Sequence, residues 1–429
     1  MIEKQTMTIN KERIAVVGAG IVGINCALEL QSQGFQVTLL DKEGIGEGCS
    51  KGNAGHFATE QVFPLAEFSL LWQLPKLLLD PLGPVALSPT YMPKALPWFL
   101  RFIANMSEKR RSKNSAALKT LNRHAIDYYK PILKEAGAEH LLTTKGSLLA
   151  FEDTPYEQVK KHYLHYHNAG VPVELLNREQ TLALEPKLSE KIQHALYFTD
   201  VGHTADPYQI CLALADLAKS KGMEFKRFSV SAIKPLKDKV QISNHSESLE
   251  FDQLVIATGA WSEPLLNQLG YQLPIEGERG YSLNLKPTAE NNELSRPVAS
   301  AERRFIMTPM AKGLRLSGTV EFAGLKKAGN MKRADLLYQH AKQMLSNISP
   351  FSEQEAQESQ RWLGFRPSLP DSLPVIGKAP NNGRICFALG HQHLGLTQGA
   401  ITGKLVGQLI TGAPTDIDLS PFCISRFNS

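Results

Sequence analysis

Residues 13–41 restrict the fold more than any other part of the chain. The apolar run RIAVV (Arg13–Val17) is followed at once by GAGIVG, then by INCALELQSQG with apolar residues at helical spacing, then by FQVTLLD, which ends at Asp41. That order is strand, Gly-rich turn, helix, strand. Read alone, Gly18-x-Gly20-x-x-Gly23 could serve only a tight turn. In this βαβ setting it becomes a dinucleotide fingerprint, because the glycines let the backbone approach a pyrophosphate at the helix N-terminus and Asp41 can accept hydrogen bonds from a ribose 2′-hydroxyl.

A chain of 429 residues, 42% of them hydrophobic, can bury a large core and should divide into two or more domains. The formal net charge is +5 and the cationic residues are dispersed, apart from Lys109, Arg110 and Arg111. This argues against nucleic acid as the main partner and leaves a mild attraction to anionic small molecules or an anionic membrane surface. Cys26, Cys49, Cys211, Cys386 and Cys423 show neither C-x-x-C pairing nor a metal-ligand spacing, which fits reduced thiols and no metal. The opening residues MIEKQTMTINKE contain no apolar signal region, and no later apolar run reaches the ~20 residues of a spanning helix. A cytoplasmic protein is expected, with peripheral contact to the inner membrane face as an option.

From Phe63 to Ile103 seven prolines interrupt a stretch rich in Leu, Trp and Phe, so it cannot be one helix. It reads either as a long loop with short helices packed on the core or as a partly exposed apolar surface for a membrane or redox partner. Asn114–Gly137 predicts a long helix that Pro131 bends or ends. Asp206-Pro207 predicts an N-cap and first helical position for a helix closed by Gly222. Strands are expected at 240–243, 254–257, 281–285, 305–307, 314–317 and 385–389, a polar helix near 330–347, and a last helix from about 396 to 410.

Five segments in order, GAGIVG with Asp41, SKGNAG (50–55), LVIATGAWS (254–262), GFRPSLPDSLPVIG (364–377) and ALGHQHLGLTQGAITG (388–403), resemble the FAD-dependent D-amino-acid oxidase and dehydrogenase family over nearly the whole length. The resemblance implies an α/β fold with a Rossmann-type FAD-binding domain made of 1–60, 195–270 and 370–429, and a second, mainly antiparallel-sheet substrate domain made of 61–194 and 271–369. It also implies noncovalent FAD, held by Gly18, Gly20, Ile21, Val22, Gly23, Asp41, Lys42, Ser50, Asn53, Ala54, Gly55, Val230, Thr258, Gly259, Trp261, Gly390, His391, Leu394, Gly395, Leu396 and Thr397.

Several of these positions have a physical reading of their own. Small residues in SKGNAG allow a loop to pass close to a bulky ligand, with Ser50 and Asn53 placed to bond phosphate or ribityl oxygens. Thr258 and Gly259 end a buried strand at the crevice of a parallel sheet, where ligands of open α/β folds collect. A helix starting at Gly395-Leu396-Thr397 would aim N–H groups at the negative end of a reduced flavin. His391 and His393 suit packing or flavin contact, since no carboxylate or cysteine completes a metal set.

Arg366 in GFRP is the candidate for the substrate carboxylate, because a guanidinium fork grips it bidentately, and the resembling family uses the arginine of this motif so. A salt bridge at a domain junction is the other reading. Tyr281 in ERGYS is expected either to share that carboxylate or simply to be packed. His56 and His203 are further candidates for the pocket wall. The resemblance implies hydride transfer from Cα of a small amino or imino acid to flavin N5. Within the family, the 63–103 segment looks like the dehydrogenase branch, which passes electrons to a quinone-type acceptor, and GHQHLGLT looks closest to enzymes of D-proline or 4-hydroxy-D-proline. Sarcosine- and glycine-type oxidases using oxygen are the near alternative, and a non-catalytic redox sensor is the alternative of another class.

Overall fold

The computed structural model describes residues 12–68, 83–286, 294–348, 351 and 360–427. Strand β1 (Arg13–Val17) is the middle of a six-stranded sheet in the order 375–379, 382–389, 253–256, β1, β2 (Gln36–Asp41), 224–227. All its neighbours run parallel except 375–379, which turns back antiparallel on 382–389. Ile14, Ala15 and Val16 are fully buried, as a strand covered on both faces requires. Helix α1 (Ile21–Ser32) and the C-terminal helix Gly395–Thr411 cover one face together. They approach closely because residue 403 is glycine: a Cβ there would stand 2.6 Å from the Asn25 carbonyl oxygen. A three-stranded antiparallel sheet (232–235, 240–243, 248–251) contributes to the core of the other face.

The second body is a larger sheet in the order 361–368, 276–285, 313–322, 305–310, 298–300, 147–151, 194–198, 173–177, with 85–87 beside 313–322. It is antiparallel apart from two parallel pairings, 298–300 with 147–151 and 85–87 with 313–322. A Rossmann-type body with a mainly antiparallel partner is therefore the fold, as the sequence led one to expect.

Three boundaries differ. Strand His194–Phe198 belongs to the antiparallel sheet, so the second Rossmann segment starts after it and not at 195. The helix expected over 114–137 is two helices, Glu108–Asn122 and Ala125–Glu135, broken at Arg123-His124, while Pro131 sits inside the second. Both helices, assigned by sequence to the substrate domain, place Leu118, Leu121, Tyr129 and Leu133 in the same core as α1 and the C-terminal helix. Asp206 does cap its helix, Pro207–Ser220, accepting from the N–H groups of Tyr208 and Gln209 at 3.1 Å each. In the proline-rich stretch, residues 69–82 lie outside the described ones, and Met92–Ala104 forms a helix with Pro93 in its first turn.

Candidate functional site

The Gly-rich turn is shaped by contacts that exclude side chains. Gly18 has φ of +107°, and a Cβ there would lie 2.3 Å from the Ala257 carbonyl oxygen; a Cβ on Gly23 would lie 1.8 Å from the Gly18 oxygen. At Gly20 the protein leaves room, with only the Ser50 hydroxyl near, at 3.4 Å. Asp41 fastens the turn through its side chain: Oδ2 accepts from the Ala19 N–H at 2.8 Å, and Oδ1 accepts from Glu43 N–H at 2.8 Å and Gly44 N–H at 3.3 Å. A carboxylate oxygen offers two lone pairs, so Oδ2 can still accept from a ribose. Ser50 has a structural task beside this space. Its buried hydroxyl accepts the Ile21 N–H at 2.9 Å and interacts with the Cys211 thiol, so it ties the SKGNAG loop to α1 at the edge of the space beside Gly20.

The loop itself is built on Asn53, whose Oδ1 accepts the Gly55 N–H at 2.8 Å and whose carbonyl accepts from Arg315 Nη1 at 2.6 Å; Ala54 lies partly exposed between them. On the far side of β2, Lys42 Nζ stands 4.3 Å from the Trp261 ring centre, which brings two predicted residues together across the sheet end. Thr258 shares a 2.9 Å hydrogen bond with Ser262, and Gly259 has φ of +56° in the turn between them. Val230 lies partly buried against the core beneath this region. Val22, on α1, and Gly395 approach one another, since a Cβ on Gly395 would meet Val22 at 3.8 Å.

The large sheet presents one face to the SKGNAG loop. Directly paired residues share a face, so Glu278 with Arg366, Ser282 with Trp362 and with Ser317, and Asn284 with Arg315 lie on one side. Arg315 reaches the loop carbonyls and the Trp362 ring lies against Gly52, which identifies this side as the loop-facing one. On it, Arg366 Nη1 donates to Glu278 Oε1 at 2.7 Å, and Ser368 Oγ donates to Glu278 Oε2 at 2.9 Å. Glu278 is buried while the Arg366 side chain is 25% exposed. Among the described residues the Nε–Nη2 edge of Arg366 has no hydrogen-bond partner. The guanidinium also needs Gly280, where a Cβ would lie 2.4 Å from Nη2. The salt bridge is thus a contact between neighbouring strands, not a domain junction, and it leaves one fork edge open to an anion.

Tyr281 does not join Arg366. It alternates with Gly280 on the strand and points to the opposite face, where its hydroxyl donates to Glu321 Oε2 at 2.5 Å and accepts the Asn330 N–H at 3.1 Å, beside buried Arg279 and Arg333. Tyr281→Phe is accordingly expected to keep kcat/KM within ~2-fold while lowering stability by about 1–2 kcal/mol, measured by steady-state kinetics and urea unfolding. A large rise in KM would return Tyr281 to the pocket.

The remaining candidates cluster. His56 and His203 are directly paired in a short antiparallel ladder, so their side chains share a side. His56 Nε2 lies 2.9 Å from Glu60 Oε1, and the buried His56 Nδ1, Glu60 Oε2 and His203 Nδ1 have no partner among the described residues. Burial, and then nearby His56, hold His203 down at about 4. His393 is likewise lowered to about 4, by burial first and then by the Arg366 charge, with Glu278, Glu60 and His56 also in range. Burial alone lowers His391 to about 3, and its Nε2 lies 3.0 Å from Thr402 Oγ1, which fixes it to the C-terminal helix. Gln392, with φ of +50°, donates its N–H to the Pro367 carbonyl at 3.2 Å and so stitches the Gly390–Leu394 turn to the strand of Arg366. Sequence reasoning missed Glu278 and Glu60 as neighbours of Arg366 and His56, and named His393 only for packing or flavin contact. Glu60 stands four residues after His56 and Glu278 is a charge inside a strand, but only the fold makes either pairing meaningful.

The family described as "DAO: FAD dependent oxidoreductase" matches residues 13–409. The chain belongs to that family. It is 34% identical to a D-amino-acid oxidase of Bradyrhizobium diazoefficiens over 96% of this chain and 98% of the relative. It is 27% identical to a D-amino acid dehydrogenase of Vibrio vulnificus strain YJ016 over 94% of this chain and 97% of the relative. In fold it is similar to glycine oxidase from Geobacillus kaustophilus (TM-score 0.72, 22% identity, 97% of this chain and 99% of that one) and to L-proline dehydrogenase from P. horikoshii (TM-score 0.70, 20% identity, 97% and 98%).

As an FAD-dependent oxidoreductase, the protein has residues that fit the cofactor. The room at Gly20 is where a pyrophosphate would approach the α1 N-terminus. The C-terminal helix begins at Gly395, and its first helical hydrogen bond runs from Gln398 N–H to Leu394 C=O, so the N–H groups of Gly395, Leu396 and Thr397 point out of the helix end. Thr397 Oγ1 accepts the Ala58 N–H at 2.9 Å and holds that end against the His56 strand, while the buried Gln398 Oε1 has no partner among the described residues. The outward N–H groups of Gly395, Leu396 and Thr397 are the donors that would favour the negative charge of a reduced flavin held at this helix end.

Proposed function

We propose that the protein dehydrogenates a small D-amino or imino acid, with D-proline or 4-hydroxy-D-proline as the favoured type, and passes the electrons to a quinone-type acceptor. The carrying observation is the open Nε–Nη2 edge of Arg366 on the sheet face that looks toward the SKGNAG loop. A carboxylate received bidentately on that edge would have its α-carbon oriented by the fork, which is the main task left to a protein whose cofactor performs the redox step. The FAD, when bound, supplies the hydride acceptor. The names of the relatives, an oxidase and a dehydrogenase of D-amino acids, support the substrate class.

Residues of this chain supply the rest. Buried Glu278 holds Nη1 and so fixes the plane of the fork. His203 and His393, lowered to about 4, stay uncharged at neutral pH and add no positive charge against an incoming ammonium. Noncovalent FAD and a cytoplasmic site of action complete the reading, the latter supported by five cysteines that form no disulfide among the described residues. The competing reading, an oxygen-using sarcosine- or glycine-type oxidase, draws on the fold likeness to glycine oxidase. Turnover of a D-amino-acid panel with a quinone or dye, set against peroxide release in air, separates them: dye reduction should be much faster, and peroxide formed at the dye rate would make the enzyme an oxidase.

A further inference from the structure

The SKGNAG loop is pinned to the large sheet by a cation. Arg315 Nη1 donates to the Asn53 carbonyl at 2.6 Å and to the Lys51 carbonyl at 3.4 Å, and its Nε donates to Asn284 Oδ1, directly opposite on the next strand, at 2.8 Å. Between the two carbonyls Gly52 lies against the Trp362 ring, so three consecutive loop residues rest on the sheet. Burial lowers Arg315 to about 10, which leaves it charged at neutral pH.

That charge is not neutralised by a paired acid. Arg279, Arg296, Arg303, Arg361 and Arg366, on or beside the same sheet, each sit within 3.3 Å of a carboxylate oxygen. Arg315 forms no salt bridge among the described residues, and the acid whose charge reaches it, Asp206, is engaged in capping its own helix. Withdrawing a cation from water without a paired acid is unfavourable, and a charge held in that way is a candidate for acting on a ligand. The nearby imidazoles do not duplicate it: burial lowers His391 to about 3 and His393 to about 4, so both are uncharged at neutral pH.

The loop turns one donor away from this cation. The Asn53–Ala54 peptide is trans, so its C=O and N–H point in opposite directions. With the Asn53 carbonyl drawn onto Arg315, the Ala54 N–H faces away from the guanidinium, and it has no hydrogen-bond partner among the described residues. The next N–H, that of Gly55, is taken by Asn53 Oδ1. A cation on the carbonyl side polarises the peptide and strengthens its donor. The loop starts at Ser50, beside the room at Gly20, and the chain then runs to Ala58, bonded to Thr397 at the start of the C-terminal helix. Residues 51–55 thus bridge the two ends at which the cofactor fits.

We propose that Arg315 raises the electron affinity of the bound flavin, by presenting the Ala54 N–H as a donor and by placing an unpaired positive charge behind the loop. A reduced flavin carries more negative charge than an oxidised one, so both effects favour the reduced form. The inference rests on the 50–55 loop lining the flavin and does not depend on which amino acid is oxidised. Arg315 acts through the loop, as a positioning residue.

The test is an anaerobic dithionite titration of the FAD-loaded protein beside a reference dye, with no amino acid present, together with titration of the apoprotein with oxidised and with reduced FAD. In Arg315→Met the equilibrium constant for flavin reduction is expected to fall at least ~10-fold from wild type, about 30 mV for a two-electron couple. By linkage, affinity for reduced FAD should fall by that factor more than affinity for oxidised FAD. Arg315→Lys keeps the charge without the fork and should fall by less. A potential in Arg315→Met equal to that of wild type would overturn the proposal. So would an equal loss of affinity for both redox forms, or an apoprotein that no longer takes up FAD, since Arg315 would then only staple the loop. Because neither titration contains an amino acid, these outcomes are independent of the substrate reading.

Discussion

Arg366→Ala is expected to lose about a hundredfold or more in kcat/KM toward the carboxylate substrate, because a charge-assisted bidentate contact stabilises by about 1.5–3 kcal/mol and its alignment of Cα is lost with it. The structure adds a second expectation. Removing the guanidinium leaves buried Glu278 without its ionic partner, and breaking such a pair costs about 3–5 kcal/mol. The single variant should therefore be both inactive and less stable. Adding Glu278→Gln to Arg366→Ala should recover most of the stability and none of the activity, which separates the two roles in one pair of measurements, kinetics and urea unfolding. Arg366→Lys should recover binding in part but keep a low kcat, since an ammonium keeps the charge without the fork. Flavin content should stay normal throughout. Full activity in the double variant would remove Arg366 from the substrate site and leave it a strand-to-strand salt bridge.

The glycines of the βαβ turn should divide sharply. At Gly20 the nearest protein atom to an added Cβ is the Ser50 hydroxyl at 3.4 Å, whereas at Gly23 the Gly18 carbonyl oxygen lies 1.8 Å away. Gly20→Val is expected to yield folded protein purified largely without FAD, because the valine would occupy the place of the pyrophosphate. Gly23→Val should instead fail to accumulate as folded protein, since the helix cannot seat against the strand. Absorbance of the flavin set against far-ultraviolet circular dichroism reads both outcomes. Normal flavin content in Gly20→Val would place the pyrophosphate elsewhere.

What the sequence revealed was mostly local. The turn, Asp41, the Asp206 cap and the C-terminal helix are each specified by a few consecutive residues, and each appears where the pattern put it. The side of a sheet on which a residue stands depends on pairing register, which consecutive residues do not encode. Tyr281 and Glu278 sit three residues apart in one strand; alternation gives Glu278 to Arg366 and Tyr281 to Glu321. The irregular pairing near Gly280, where Thr319 takes φ of +55°, shifts the register again beside Arg366. The break at Arg123-His124 was hidden because Pro131 was the more conspicuous helix breaker. Glu60 became a member of the site, and His393 a neighbour of Arg366, only when the His56 ladder and the C-terminal turn came together.

The most direct test of the account is anaerobic reduction of the bound flavin, followed at its visible absorption band, on mixing with the D and L forms of proline, 4-hydroxyproline and alanine, and with sarcosine. The account predicts rapid bleaching by one or more of the D-configured acids, fastest with the cyclic ones, and loss of that bleaching in Arg366→Ala with FAD still bound. Flavin that stays oxidised with every amino and imino acid, or that bleaches only with L forms or sarcosine, would contradict it.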